Sequence, residues 1–221
     1  MSEVKHVYLI RHAETTNNRQ HTHQLPTEPL NEVGQKQAIQ LADFLTDKNI
    51  ETLISSNYKR ALETTEVVSA KLDLPYTIEK SVREFDVPVS LHNRNYLSLP
   101  SIIHFIKFYF GRNRSDWSLE HGENMTIIRQ RVADTKKMLE ANSTHHIAVI
   151  SHRIFITSFA ETVCFNRPLS LLRFVFCVLG KKRQIPNTAI YHFIVEPSAN
   201  NFQCNWLLQE IFTPPYTPKD S

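Results

Sequence analysis

Glycine is scarce in this chain: four residues in 221, at Gly34, Gly111, Gly122 and Gly180. The closest two stand eleven positions apart, so neither a P-loop nor a G-x-G-x-x-G dinucleotide turn can form. Walker-type NTPases and ordinary Rossmann dehydrogenases are excluded. Cysteine is scarcer still. Cys164, Cys177 and Cys204 are odd in number and make no C-x-x-C pair. That argues against a disulfide framework and a cysteine zinc site, and for a reducing, cytoplasmic setting. Neither charge sign dominates: 25 Lys+Arg against 22 Asp+Glu leaves +3, too little for a nucleic-acid binder. Long hydrophobic runs are missing too. The longest, Leu169–Gly180, contains Arg173 and at twelve residues falls short of the roughly 20 that cross a bilayer. It reads as a core helix, so no transmembrane segment is expected. Met1 leads directly into VKHVYLI, without the charged and apolar regions of a signal peptide.

What is present describes a soluble globular chain, 41% apolar and 21% charged, long enough for one domain with a modest insertion. Residues 4–10 read as a buried strand. Residues 31–48 read as a helix with Asn31 as N-cap, because Val33, Ala38, Leu41, Ala42 and Leu45 recur at helical spacing. Further strands are predicted at 52–55, 75–79, 147–151, 188–195 and 203–211, and further helices at 59–71, 123–141 and 153–164. Alternating strands and helices predict a three-layer α/β/α sandwich around a mostly parallel sheet. Residues from about 85 to 122 break the alternation and read as an inserted helical cap; a Pro-rich tail occupies about 213–221.

Two strands end alike. VYLI runs into Arg11 and His12, and AVIS runs into His152. In open α/β sheets the ligand crevice lies beyond the carboxyl ends of the strands, so both histidines are expected there. L-I-R-H-A-E-T-T-N-N resembles the R-H-G-E-T-x-x-N signature of the histidine phosphatase (phosphoglycerate mutase-like) superfamily, matched at Arg11, His12, Glu14, Thr15 and Asn18. Gln24 with P-L-N-E-V-G-Q-K-Q-A, S-S-N-Y-K-R-A-L-E-T, V-R-E, G-E-N, I-S-H and P-N-T-A-I resemble later blocks of that family, in family order.

The resemblance implies a phosphoglycerate mutase-like fold and a phosphohistidine mechanism with no metal or other cofactor. His12 is then the nucleophile. Arg11, Arg60 and His152 bind the phosphoryl group, where charge-assisted hydrogen bonds are strongest. Asn18 and Gln24 add substrate contacts. Glu84 is the proton donor, with Asp86 and Glu123 as alternatives. Arg153, standing where the family usually has glycine, extends the cationic pocket. His21, His23, His145 and His146 read as exposed loop histidines rather than metal ligands.

The expected function is metal-independent hydrolysis of small phosphomonoesters. The alternatives are mutase-type phosphoryl transfer and a catalytically silent phosphate-binding module. Between Glu84 and Glu123 lie 123 − 84 − 1 = 38 residues, a length that resembles the phosphatase branch, and no E-K-Y-G segment typical of the mutases is found. Within that stretch Ile102, Phe105, Ile106, Tyr109 and Phe110 share one helical face, widened by Ile103 and Phe108. Lys107 and Arg112 are expected to reach the substrate from this cap. The competing expectation is that its aromatics only pack against the sheet or a second copy.

Overall fold

Strand β1 (Lys5–Arg11) sends Val7 and Leu9 to one face of the sheet and Tyr8 and Ile10 to the other, all of them buried. A strand apolar on both faces must be covered on both, and that requirement sets the architecture. The computed structural model describes residues 4–111, 123–163, 185–197 and 204–214. The run at 169–180, Arg112 and the tail from 215 onward lie outside them.

Six strands form one sheet in the order β3-β2-β4-β1-β5-β6, with β2 at Thr52–Ser55, β3 at Tyr76–Ile78, β4 at His146–Ser151, β5 at Ile190–Val195 and β6 at Trp206–Phe212. Strands β1 to β4 pair parallel; β5 and β6 join antiparallel at one side. Helices α2 (Glu32–Leu45) and α3 (Lys59–Leu72) cover one face, where Leu41, Leu45, Ala61 and Val68 meet Tyr8, Ile10 and Ile150. Helices α5 (Met125–Ala141) and α6 (Arg153–Thr162) cover the other, where Val132, Leu139, Phe155 and Phe159 meet Val7, Leu9 and Val149. This is the expected three-layer sandwich. Asn31 caps α2 as its side chain predicts, accepting from the Gly34 N–H at 2.7 Å. Among the described residues no helix is long and apolar enough to cross a membrane.

Two features depart from the sequence reading. A five-residue helix α1 (Thr16–Gln20) follows β1, too short for a hydrophobic period to reveal it; Thr15 and Asn18 close it as a capping box. Cys204 is disulfide-bonded. Odd cysteine number therefore did not preclude a bridge, and it no longer argues for a reducing compartment.

Candidate active site

The register of the parallel strands brings the site together. Arg11 pairs with Ser151, and Ser55 pairs with Ile150. The next residue of each strand, His12, His152 and Ser56, therefore emerges at one level of the carboxyl edge. His12 N donates to Ser151 O at 3.0 Å, and Ser56 N donates to Ile150 O at 3.0 Å. The His12 and His152 rings lie 5.0 Å apart, both essentially buried.

The loop after His12 is pinned from two helices. Ala13 N donates to Thr64 Oγ1 on α3, and Glu14 N to Gln37 Oε1 on α2. Gly34 explains its own identity: a Cβ there would stand 2.0 Å from Glu14 O, so only glycine lets α2 approach this loop.

Hydrogen bonds assign the state of His12. Its Nδ1 faces Ala13 O at 2.7 Å and can only donate; Arg60 Nε donates to its Nε2 at 3.1 Å. The ring is thus neutral, with the Nε2 lone pair facing the arginine. Burial, then the charges of Arg60 and Arg11, hold its pKa well below the ordinary histidine value, which agrees with that assignment. Arg60 is 2% exposed and also donates to Leu25 O. Glu63, one turn further along α3, binds Lys59 and the Leu30 N–H rather than Arg60.

Arg11 reaches Ile185 O, while its buried Nε has no partner among the described residues. Burial, then nearby Arg153, pushes its pKa down to about 9, a measure of cationic crowding. His152 meets Ser56 Oγ at 2.7 Å through Nε2, and among the described residues its buried Nδ1 also has no partner. Burial, then Arg60, keeps this ring neutral as well. Buried polar atoms of this kind cost free energy unless they are hydrogen-bonded.

Glu84 does not pair with Arg83. Its carboxylate accepts from the Ile154 and Phe155 N–H groups at the start of α6, each at 3.2 Å. Arg83 instead binds Asp86 at 3.1 Å and Glu123 at 2.6 Å, and Arg131 binds Glu123 at 2.5 Å. Tyr58 donates its hydroxyl to Asp86. All three acids line the cavity, but Asp86 and Glu123 are tied into an ion network that Glu84 does not join.

A cavity of about 290 Å³ opens over these groups. Arg11, His12, Asn18, Gln24, Arg60, Glu84 and Arg153 all line it; His152 is not among the lining residues, although its ring packs 5.0 Å from that of His12. Helix α4 (Leu99–Gly111) adds His104, Phe105 and Phe108. Lys107 is exposed and is not among the lining residues, because it lies on the opposite side of α4 from Phe105 and Phe108. Nor is the cavity side the apolar stripe read from the sequence: Ile102, Ile103, Ile106 and Phe110 are exposed. His23 is buried rather than exposed, and its Nε2 meets Ser101 Oγ at 3.1 Å. His146 stacks on His6 at 4.8 Å instead of lying in a loop. Tyr58, Tyr96 and Asn187 were not foreseen as cavity residues. Asn187 had a signal, the P-N-T-A-I block; its Nδ2 bridges His12 O and Asn18 Oδ1, each at 3.0 Å. Among the described residues no cluster of three or more His, Cys, Asp or Glu is placed to hold a metal ion.

The sandwich, with its antiparallel edge and its histidines at parallel strand ends, is of the phosphoglycerate mutase-like class. The chain belongs to the histidine phosphatase superfamily (branch 1), whose family model matches residues 7–203. It is similar to the probable phosphoglycerate mutase GpmB of Salmonella arizonae, 28% identical over 159 residues, covering 71% of this chain and 74% of that protein. Among solved structures it resembles mycobacterial glucosyl-3-phosphoglycerate phosphatase, with a TM-score of 0.71, 14% identity, and coverage of 94% of this chain and 98% of that one. It also resembles phosphoglycerate mutase from Bacillus anthracis, with a TM-score of 0.67, 18% identity, and coverage of 94% and 92%. At such identities the two structures speak for the fold alone.

Proposed function

We propose that this chain is a metal-independent phosphomonoester hydrolase that works through a phosphorylated His12. The observation that carries the reading is the neutral His12 with its Nε2 lone pair aimed into a cage of arginines. His12 Nε2 attacks phosphorus as the bond to the leaving alkoxide breaks. Arg11, Arg60, His152 and Asn18 hold the equatorial oxygens; the unpartnered Arg11 Nε and His152 Nδ1 are the donors that such oxygens would satisfy. Glu84 enters this step as the protonated acid and hands its proton to the departing oxygen, becoming the carboxylate. Water then attacks the phosphohistidine, Glu84 takes back a proton, and release of phosphate restores neutral His12. The arginines supply the positive charge that a divalent cation supplies to phosphoryl oxygens elsewhere.

Mutase-type transfer is the second reading, favoured by the name of the Salmonella relative. A mutase must hold a carboxylate-bearing, doubly phosphorylated intermediate in both orientations, which calls for cations along the whole cavity. Here Arg60, Arg11 and Arg153 act electrostatically on His12, whereas α4 contributes only aromatic and imidazole rings to the lining. Hydrolysis fits that asymmetry better. Incubation with 3-phosphoglycerate and catalytic 2,3-bisphosphoglycerate decides between them: phosphate release is expected, and isomerisation much faster than release would hand the case to the mutase. Activity that vanishes in chelator and returns with a divalent metal would refute the metal-independent mechanism.

A further inference from the structure

Rings make up much of the cavity lining beside the arginine cage. His23, Phe85, Tyr96, His104, Phe105 and Phe108 come from four separate stretches of chain, and all six line the same space. Their ring centroids form two linked rows. Tyr96 meets His23 edge-on at 4.8 Å, His23 meets Phe105 at 5.8 Å, and Phe105 meets His104 at 5.8 Å. His104 then meets Phe108 at 6.4 Å, and Phe108 meets Phe85 at 6.5 Å. These separations are those of offset and edge-to-face aromatic packing, so the rings form one continuous wall. Helix α4 is rolled to serve it: Ser101, His104, Phe105 and Phe108 fall at i, i+3, i+4 and i+7, and Ser101 anchors His23.

We infer that the alcohol half of the substrate carries a planar aromatic group that packs against this wall while its phosphate occupies the arginine cage; the inference rests on the phosphomonoesterase reading above. Two observations favour a ring over a second anionic group. Arg153 acts electrostatically on Arg11 and His12 as well as on His23, so it stands where the phosphate cage meets the wall. Its guanidinium also sits 5.7 Å over the Tyr96 ring, capping the near end of the wall as a stacking surface. His23, within the wall, is held neutral: burial, then His104, His92 and Arg153, pushes its pKa down to about 4. An anion against the wall would meet ring faces, whose electrostatics repel it; an aromatic ring would meet ring edges and faces that attract it.

The test compares kcat/KM for 2-phenylethyl phosphate and ethyl phosphate. Their alcohols leave with similar difficulty, so the ratio reads ring recognition rather than chemistry. Burying one phenyl group predicts a preference of about 30-fold for the aromatic ester. Phe105→Ala and Tyr96→Ala should each cut that ratio at least about threefold in proteins that retain their native circular dichroism. A native ratio near one overturns the inference, as does a ratio that survives both substitutions. If the alanine variants fail to fold, Phe105→Leu, apolar but without a ring face, takes their place under the same criterion. If neither ester nor p-nitrophenyl phosphate is hydrolysed, the phosphomonoesterase reading fails. Calorimetry with 2-phenylethylphosphonate and ethylphosphonate then judges the wall by itself: about tenfold tighter binding of the aromatic phosphonate supports it, and equal binding overturns it.

Discussion

The arginine cage and helix α4 border the same cavity but are specified in different ways. Every cage residue leaves a strand end or the first turn of a helix, where backbone register decides its position: Arg11 and His12 after β1, His152 after β4, Arg60 at the start of α3. On α4, the choice of Phe105 and Phe108 over Ile102 and Ile106 depends on how one helix is rolled against its neighbours. Chemistry that needs charge at a fixed point is built on the rigid sheet edge. On the reading proposed above, contact with the leaving group falls to α4, whose packing is set apart from that edge.

The comparison is sharpened most by removing charge from the cage. Arg60→Ala should lower turnover of p-nitrophenyl phosphate by about 10²–10³, with native circular dichroism. Loss of less than tenfold would remove Arg60 from the transition state.

Acid should lower stability through the buried histidines around the cavity. His12, His152 and His23 all have folded pKa values below the ordinary 6.5. The unfolded chain therefore binds more protons below pH 6.5, so stability from these groups is complete above that pH and is lost as pH falls towards the folded values. For His23, from 6.5 to about 4, the loss is on the order of 3 kcal/mol across the window. Urea denaturation at pH 7 and pH 5 measures it. His23→Phe should flatten part of the slope, and an unchanged slope would exclude His23 as a contributor.

Gly34→Ala probes the loop that carries His12. Its Cβ would collide with Glu14 O, so about 1–3 kcal/mol of stability should be lost, together with activity. Thermal denaturation and p-nitrophenyl phosphate turnover test this, and a neutral result would show that α2 can move away freely. The smallest effect should come from the outer face of α4. Ile106 is 51% exposed, so Ile106→Ser should change stability by no more than about 0.5 kcal/mol and leave aromatic selectivity intact. A large loss would mean that this face is covered in solution.

Much of the cage was legible in the sequence because strand ends, capping residues and motif spacing are local. L-I-R-H and I-S-H place two histidines at strand ends before any tertiary contact is known, and Asn31 announces the start of α2. The partners of those residues were not legible. The contact of Glu84 with the start of α6 joins residues 70 apart, and nothing near V-R-E indicates it. The bond between Arg60 and the Nε2 of His12 depends on how α3 packs. In α4 apolar residues occur on nearly every side, so periodicity alone selected a face that the structure exposes to solvent. His23 was misjudged because an H-x-H pair in a polar loop carries no sign of the Ser101 contact that buries it.

The central claim is that the neutral His12 becomes phosphorylated during turnover. Rapid quenching of the protein with a ³²P-labelled phosphomonoester, followed by peptide mapping, tests it directly. An acid-labile, base-stable label on the peptide containing His12, formed and lost at rates compatible with turnover and absent from His12→Ala, is the predicted result. Undiminished turnover in His12→Ala, or a label on another residue, would contradict the account.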